Sequence, residues 1–455
     1  MKTLSFLLLL YLTGLSVQAQ QPVFKRVRYD DDFRYLQKDT ARSLYKSIKH
    51  IPLGKDSTHY ASVGGDVRLQ YIITKNNKWG DDPDEADGYI LSRYLMHADV
   101  HFGRARAFVQ LQSSLSSGLT DPSPVDKNTA DIHQAFIDVV LLSAPDKQII
   151  TRAGRQELLY GSQRLIGVRE GPNNRMAFDA LNVIMAFKNV RTDAFYTHPV
   201  ANMQGAFDDK FNDNAKLWGS YTVLNNIPII KNIDLYYLGF WKRNSVFDDV
   251  RGRELRHSFG TRIWKNKGNL AYDLEVVYQF GNHAGKDITA YTISSNTTYT
   301  FQNVKYSPVV GLKTEIISGD KHTGDQHLET FNALYPRGAY FGLVALIGPA
   351  NLYDIHPSID VSLTKTLSLG ADYDIFWRLS KQDGLYAPNM QLLYSGDHTQ
   401  SSFIGTQLGS NLEYSPNNYL SFTLEGAWFN AGAFLKEAGS GKDYFYAAFT
   451  SQLQF

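Results

Sequence analysis

From about residue 60 to the last residue, apolar and polar side chains alternate with a period of two, the pattern of strands that show one face to an apolar medium and the other to a wet one. The first such strand sets Val63, Val67, Leu69 and Tyr71 against Asp66, Arg68 and Gln70. The second sets Ile90, Tyr94, Met96, Ala98, Val100 and Phe102 against Arg93, His97, Asp99 and His101. A short Gly103-Arg104 turn leads to a third, with Ala105, Ala107, Val109 and Leu111 opposite Arg106, Gln110 and Gln112. Near the end, Leu367, Leu369, Ala371, Tyr373, Ile375, Trp377 and Leu379 alternate with Ser368, Asp372, Asp374 and Arg378, long enough to cross a bilayer on the tilt that needs about 9 to 11 residues. Leu420, Phe422, Leu424 and Trp428 repeat the pattern against Ser421, Thr423 and Glu425. The closing strand places Phe445, Ala447, Phe449, Leu453 and Phe455 on one side, with Tyr446, Thr450, Gln452 and Gln454 on the other.

Connection lengths alternate as well. Long links at 81–87 and 113–130 are interleaved with short ones at Gly103-Arg104 and Ala144-Pro145-Asp146-Lys147. Outer-membrane barrels have long outer loops and short periplasmic turns. Extended along the chain, this alternation predicts long outer loops at about 157–180, 199–214, 243–255, 281–287, 318–351, 380–400 and 430–441, and roughly 18 strands. Parity decides one segment. A spanning strand from Tyr340 to Ile347 would turn the long loop after residue 380 to the periplasm, so this stretch is expected to be a helix or ordered insert within an outer loop. The fold class is therefore an all-β transmembrane antiparallel β-barrel with a short N-terminal periplasmic segment.

Before the barrel, Lys2, an apolar run over residues 4–15 and Val17-Gln18-Ala19 make a secretory signal over residues 1–19, with Gln20 as the mature N-terminus. Residues 20–59 mix charges without a period of two and read as a periplasmic lead-in with a helix-like stretch at 39–49. The barrel is expected over 60–455.

Composition narrows the class further. With no cysteine there is neither a disulfide framework nor a thiolate metal site. Aromatic residues make 13% of a chain whose mean hydropathy is −0.30, too low for a helical membrane protein and suited to a barrel with interfacial girdles and a wet interior. The signal carries one Lys and no acid, so 46 Lys and Arg fall to 45 against 45 Asp and Glu, which gives no overall attraction to nucleic acid. Neutrality in sum can still hide segregation between lumen and loops. No G-x-S-x-G, H-E-x-x-H or phosphate-loop motif occurs.

The stretch from Thr151 to Ala180 resembles the alginate-export family of outer-membrane proteins, which carry R-x-G-R-Q-E-L, then G-x-x-R-L-[IV]-G, then an Arg-containing stretch ending in F-D. Arg152, Gly154, Arg155, Gln156, Glu157, Leu158, Gly161, Arg164, Leu165, Gly167, Arg175, Phe178 and Asp179 match. Arg256-His257, Gln279-Phe280-Gly281, Ser318-Gly319-Asp320, Phe376-Trp377-Arg378 with Asp383-Gly384, and the closing aromatic strand are similar to later blocks in the same order. The resemblance spans about Tyr60 to Phe455. It implies an eighteen-stranded monomeric barrel with an electropositive interior, through which an anionic polyuronate leaves the cell. The closing Phe455 resembles the terminal signal read by the outer-membrane insertion machinery.

A conduit for a polymer with one carboxylate per sugar needs guanidinium groups at intervals. By alternation Arg68, Arg93, Arg106, Arg152, Arg262 and Arg378 point inward, and Arg155 joins them from the family motif. Arg164, Arg169 and Arg175 lie in the third outer loop, which is expected to fold into the pore as a constriction. Asp66, Asp99, Asp372, Asp374 and Glu425 are the expected counter-acids; the same residues would equally buttress the wall through ion pairs. His97, Asp99 and His101 share a face as a metal or acid-base cluster would, or as a hydrated wall would. The acidic run at 81–87 could take Ca²⁺, but it lacks the Gly and spaced Glu of a calcium loop, and a solvated or lipopolysaccharide-bridging loop fits it better. No cofactor is called for. The competing functions are a general small-solute porin and an outer-membrane barrel enzyme; a plugged, energy-coupled transporter is disfavoured because the lead-in is short.

Overall fold

The computed structural model describes residues 24–38, 43–56, 58–82, 88–248, 250–342, 344–397 and 399–455, so the expected signal and mature N-terminus lie outside the described residues. Eighteen antiparallel strands close into one barrel. In chain order they are β1 (His59–Lys75), β2 (Tyr89–Phe102), β3 (Ala105–Ser117), β4 (Asn128–Ala144), β5 (Lys147–Gln156), β6 (Phe178–Phe187), β7 (Val190–Pro199), β8 (Ala215–Ile227) and β9 (Lys231–Phe247). They continue as β10 (Val250–Lys265), β11 (Leu270–His283), β12 (Lys286–Thr300), β13 (Val309–Ile317), β14 (Leu352–Ser362), β15 (Leu367–Trp377), β16 (Phe403–Tyr414), β17 (Leu420–Ala431) and β18 (Tyr444–Gln454). Each pairs with its sequence neighbours, and β1 pairs with β18 from Asp66 opposite Gln454 to Lys75 opposite Phe445. In a bilayer core an unpaired strand edge has no water to bond, so this seam completes the wall.

The two faces of each strand are those that alternation predicts. Tyr71, Tyr94, Met96, Phe259, Tyr278, Trp428 and Phe449 are exposed on the outside, while Arg68, Arg93, Phe108, Arg152 and Glu275 are buried inside. One end carries short turns, among them 103–104, 145–146 and 188–189, and the other the long loops 157–177, 318–351 and 378–402. The short-turn end is periplasmic by the rule for this class.

Three local expectations are narrowed or revised. The long outer loops expected at 243–255 and 281–287 are hairpin ends: β9 pairs with β10 out to Phe247 opposite Val250, and β11 with β12 out to His283 opposite Lys286. The strands outrun the membrane there because their inner faces are still covered: Phe247 stands edge-on to His283 and to Tyr386 of a long loop. The stretch from Tyr340 to Ile347 is outside the wall, as parity requires, and over its described residues it takes the insert alternative rather than the helix, with Tyr340, Phe341, Val344 and Ile347 buried in the lumen. The helix-like stretch shortens to α1 (Leu44–Lys49), whose Ser43 side chain accepts from the Lys46 amide; residues 39–42 lie outside the described residues.

The seam also explains a glycine. A Cβ on Gly65 would come within 2.7 Å of both the Leu95 carbonyl oxygen and the Phe455 ring, and the Gly65 and Phe455 backbones exchange hydrogen bonds of 2.9 and 3.0 Å. Gly65→Val should therefore destabilise the barrel by about 1–3 kcal/mol in urea unfolding, as overpacking does. Gly426→Ala, where a Cβ has only Ser410 Oγ within 4 Å, should be near neutral.

Candidate functional site: the barrel lumen

The periplasmic mouth is occupied by the lead-in. Tyr29 enters it edge-on to Phe108 and Phe136, at 6.1 and 5.3 Å between ring centroids, and its hydroxyl donates to the Glu157 carbonyl at 2.7 Å. Arg28 donates to the carbonyls of Gly65 and Phe455 at 3.0 and 3.1 Å, and so clips the segment onto the seam. Lys49, fully buried, donates to the Val63 carbonyl at 2.8 Å and lies over the Phe33 ring. A lead-in read from sequence as lying in the periplasm is thus a stopper in the mouth. It has no period of two, because it meets the wall through single anchors rather than as a strand.

The inward arginines form a ladder up the lumen, and each rung already has partners. Arg106 takes both Asp99 oxygens at 2.7 Å and donates to the Tyr29 carbonyl. Arg152 takes both oxygens of Asp138 at 2.7 and 2.8 Å, with its guanidinium 4.1 Å from the Tyr29 and Phe136 ring centroids. Arg262 bridges Asp273 and Asp234. Arg93 pairs with Asp66 and Glu170, and Arg68 donates to the carbonyls of Glu170, Gly171 and Pro172. Arg68 and Arg93 therefore hold the 157–177 loop inside the barrel.

That loop is folded into the bore, as expected, and packs there through its own arginines. Arg164 lies between Glu275 and Glu315, at 3.0 and 2.7 Å, and donates to the Tyr340 hydroxyl. Arg175 joins Glu157 and Glu170 at 2.8 and 3.1 Å, and Arg169 donates to the Pro336 carbonyl. The loop is thereby stitched to the 318–351 insert, with Gly167 and Arg337 amides accepted by Tyr335 and Gln163 carbonyls. Between the two loops Leu158, Leu165, Ile166, Phe331, Leu334 and Phe341 make an apolar core inside the lumen.

Four assignments are corrected. Arg155 does not face the lumen: it lies one residue out of phase with Arg152 and pairs with Asp179 and Asp131. Arg378 is a loop anchor, donating to the carbonyls of Lys381, Asp383 and Ser401 and packing 4.1 Å from the Phe434 ring centroid. Asp372 and Asp374 face His356 rather than an arginine, and Glu425, half-buried on the inner face, has no ion pair with one among the described residues. Of the His97, Asp99 and His101 trio only two meet: His101 Nε2 lies 3.2 Å from Asp99, which Arg106 also holds, while His97 stacks on Phe108. Of the acidic outer loop, Asp81 accepts from Ser440 and Tyr394; burial opposes its charge, but these hydrogen bonds hold it below the usual carboxylate range. Residues 83–87 lie outside the described residues.

Sequence reading missed Arg191, Tyr160 and Tyr221. With Arg152, Tyr29 and Asp193 they line a cavity of about 220 Å³ above the lead-in. Arg191 holds both Asp193 oxygens at 2.9 and 3.1 Å, yet half of its side chain (51%) stays exposed. Tyr160 stacks on Phe195 and Tyr221, and Tyr221 on Tyr236, with centroids 5.2, 5.1 and 5.0 Å apart. Alternation applied to β7 and β8 would have placed Arg191 and Tyr221 inward.

A closed barrel with short periplasmic turns, an apolar outer band and charged loops folded into its bore is an outer-membrane channel of the bacterial cell. Within that class, residues 59–447 match the model of the alginate export family, and the chain belongs to that family. Among solved structures it is similar to a BenF-like porin from Pseudomonas fluorescens Pf-5, at 9% identity and TM-score 0.59, with 87% of this chain and 98% of that one covered. It is also similar to Pseudomonas aeruginosa OpdK solved with vanillate, at 10% identity, TM-score 0.56 and coverage of 87% and 98%. Pseudomonas aeruginosa OccK3 (OpdO) gives 10%, 0.55, 87% and 95%. These neighbours share the fold. No curated protein matches the chain.

Two outcomes follow from this packing. Arg164→Ala leaves Glu275 buried without its cation and Glu315 with Lys313 alone, a change that costs about 3–5 kcal/mol. It should loosen the 157–177 loop and raise both conductance and current noise in planar bilayers. Docking of the lead-in should depend on pH through Lys49, which burial first and Arg28 second push down to about 7, with Asp31 opposing. A lysine in the undocked segment titrates near ~10.4. Below about 7 the full penalty of burying the ammonium is present; between there and ~10.4 the docked form sheds a proton the free segment keeps, so docking strengthens as pH rises. Protease protection of residues 24–50 should increase over that window, and Lys49→Met should flatten the dependence.

Proposed function

We propose that this outer-membrane channel passes carboxylate-bearing sugars, either anionic polyuronates like those named by its family or shorter sugar-acid oligomers, along an arginine- and tyrosine-lined side of its lumen. The observation that supports this reading is the cavity in which Arg152, Arg191, Tyr29, Tyr160 and Tyr221 meet. A uronate presents a planar carboxylate and a flat, largely apolar ring face. Guanidinium forks take the first in bidentate geometry, and aromatic faces take the second. The arginines already hold wall carboxylates in that geometry. Cargo can then move by exchanging one carboxylate for another, which keeps each site weak enough to leave. Passage requires the lead-in to withdraw from the mouth and the 157–177 loop to yield.

A small-carboxylate porin is the second reading, because the cavity beside Arg191, at about 220 Å³, has room for a small carboxylate rather than a polymer. OpdK was solved with vanillate, itself a carboxylate; that is a property of OpdK. The family and fold are those of transport channels rather than enzymes. We further propose that the barrel works as a monomer in outer-membrane lipid, that its outer loops meet lipopolysaccharide, and that β18 together with the Phe455 that follows it is what the insertion machinery reads.

Single-channel recording in planar bilayers tests the reading. The channel should be anion-selective, and oligouronates should block it from either side. Arg191→Ala should weaken the block about tenfold or more, the loss expected of a charge-assisted hydrogen bond at about 1.5–3 kcal/mol. Cation-selective conductance indifferent to uronates would overturn it. Block by small carboxylates alone would select the second reading.

A further inference from the structure

We propose that Asp354, His356 and Asp374 form a binding site for a divalent transition-metal cation on the inner wall of the barrel, separate from the arginine ladder. Asp354 and His356 are successive inward positions of β14, and Asp374 is an inward position of β15. The register that sets Ile355 opposite Ile375 puts His356 directly across from Asp374. One donor atom from each of the three residues lies within 4.8 Å of the other two, and His356 Nδ1 touches Asp374 Oδ1.

Asp354 is the independent sign that something belongs there. Its side chain is completely buried, and neither carboxylate oxygen has a hydrogen-bond partner. A buried carboxylate without a donor is among the most costly arrangements a fold can hold, and a coordinated cation removes that cost. The nearby protein cations are directed elsewhere. Lys313 donates to the Tyr340 carbonyl at 3.0 Å and stands 3.5 Å from Glu315, and Arg164 is shared between Glu275 and Glu315. The wall here is acidic in sum, since Asp372 also faces His356, with Oδ2 at 3.6 Å from Nε2.

The donor set selects the class of ion. Two carboxylate oxygens and one imidazole nitrogen, in a chain with no cysteine, suit Zn²⁺ or Mn²⁺. Three protein ligands leave a position for water or for Asp372. Gln407 donates to Asp374 Oδ2 at 3.2 Å and to the Phe341 carbonyl at 3.4 Å, which fixes the Asp374 carboxylate as outer-shell partners of metal ligands do. Phe341 closes the site towards the outer loops. His356 and Asp372 keep 14% and 19% of their side chains exposed, so ions enter from the periplasmic half of the lumen. The other carboxylate cluster, Asp131 with Asp208 and Asp209, carries no such argument, because Asp131 and Asp209 already accept from backbone amides and Asn128.

The test uses the full-length barrel in detergent, stripped with chelator and titrated calorimetrically with ZnCl₂ and, separately, MnCl₂. One saturable site per chain is expected, with Zn²⁺ tighter than Mn²⁺ and with a raised unfolding temperature in the presence of Zn²⁺. Asp354→Asn and His356→Gln should each abolish that binding, Gln407→Ala should weaken it about tenfold, and Asp208→Asn should leave it unchanged. Heat-modifiable gel migration reports whether each variant is folded; Asp354→Asn keeps the shape and removes an unpaired buried charge, so it should fold at least as well as the parent. Co²⁺ loaded into the unmutated barrel gives a second readout: an intense visible spectrum of a four-coordinate site supports the assignment, and a spectrum like that of the aqua ion overturns it. Absence of saturable binding, or binding that survives both Asp354→Asn and His356→Gln, also overturns it.

Discussion

Everything in this molecule depends on the pairing of its first strand with its last. Lipid offers no hydrogen bonds, so a sheet in the membrane must have no edge. The β1–β18 seam removes it, and in doing so it divides every strand into an outside and an inside. Three features converge on that seam: Gly65, which leaves room for the Phe455 ring; Phe455, whose backbone extends the ladder; and Arg28, which binds both carbonyls from within. The lead-in is thus anchored where the barrel closes, and one guanidinium couples closure of the wall to occupation of the mouth.

Inside, a second constraint takes over. Once the loops fold inward the lumen is largely dry, and a dry charge must be paired. The arginines on β1, β2, β3 and β5 meet this requirement with acids and loop carbonyls, which is why the same residues serve as buttress and as candidate conduit. The two roles are compatible when the partner is itself a carboxylate. A cargo carboxylate replacing Asp138 on Arg152, or Asp193 on Arg191, exchanges like for like at little net cost. Arg378 and Arg68 lack that option, because carbonyls of their own loops fill the fork and withdrawal would release the loop. Partner chemistry therefore separates the anchors from the residues able to hand on an anion.

Much of this was legible in the sequence wherever one rule acted alone. Period-two alternation placed Arg68, Arg93, Arg106 and Arg152 inward, and loop parity kept Tyr340 to Ile347 out of the wall. Failures came where a second influence overrode the rule. Arg155 was carried inward by its motif although its phase puts it outside. The charged stretches near 243–255 and 281–287 read as loops, yet β9 to β12 continue beyond the membrane because inner contacts such as Phe247 with Tyr386 still reward pairing there. The partners of Arg164, Glu275 on β11 and Glu315 on β13, come from strands 111 residues or more away in sequence, a proximity that only barrel closure creates. Tyr29 had no periodic signal at all.

The near balance of charge along the sequence, 46 Lys and Arg against 45 Asp and Glu, conceals how unevenly the lumen is charged. On one side, β1 to β7 carry Arg68, Arg93, Arg106, Arg152 and Arg191 matched by Asp66, Asp99, Asp138 and Asp193, and tyrosines rise beside them. Across the bore, β13 to β15 carry Glu315, Asp354, Asp360, Asp372 and Asp374 against Lys313 and His356. A wall whose arginines are matched by acids, facing a wall with an excess of acids, makes the bore uneven in charge, and such unevenness sorts ions by side rather than merely by size. Under the proposed function, an anionic chain would exchange its carboxylates with those the arginines hold. A divalent cation is drawn to the opposite wall, where Asp354 has no partner of its own. Under the proposed function, carboxylate exchange on the arginine side attracts a polyanion while the acidic side repels it, an arrangement that would hold the chain on a track and keep it from lodging.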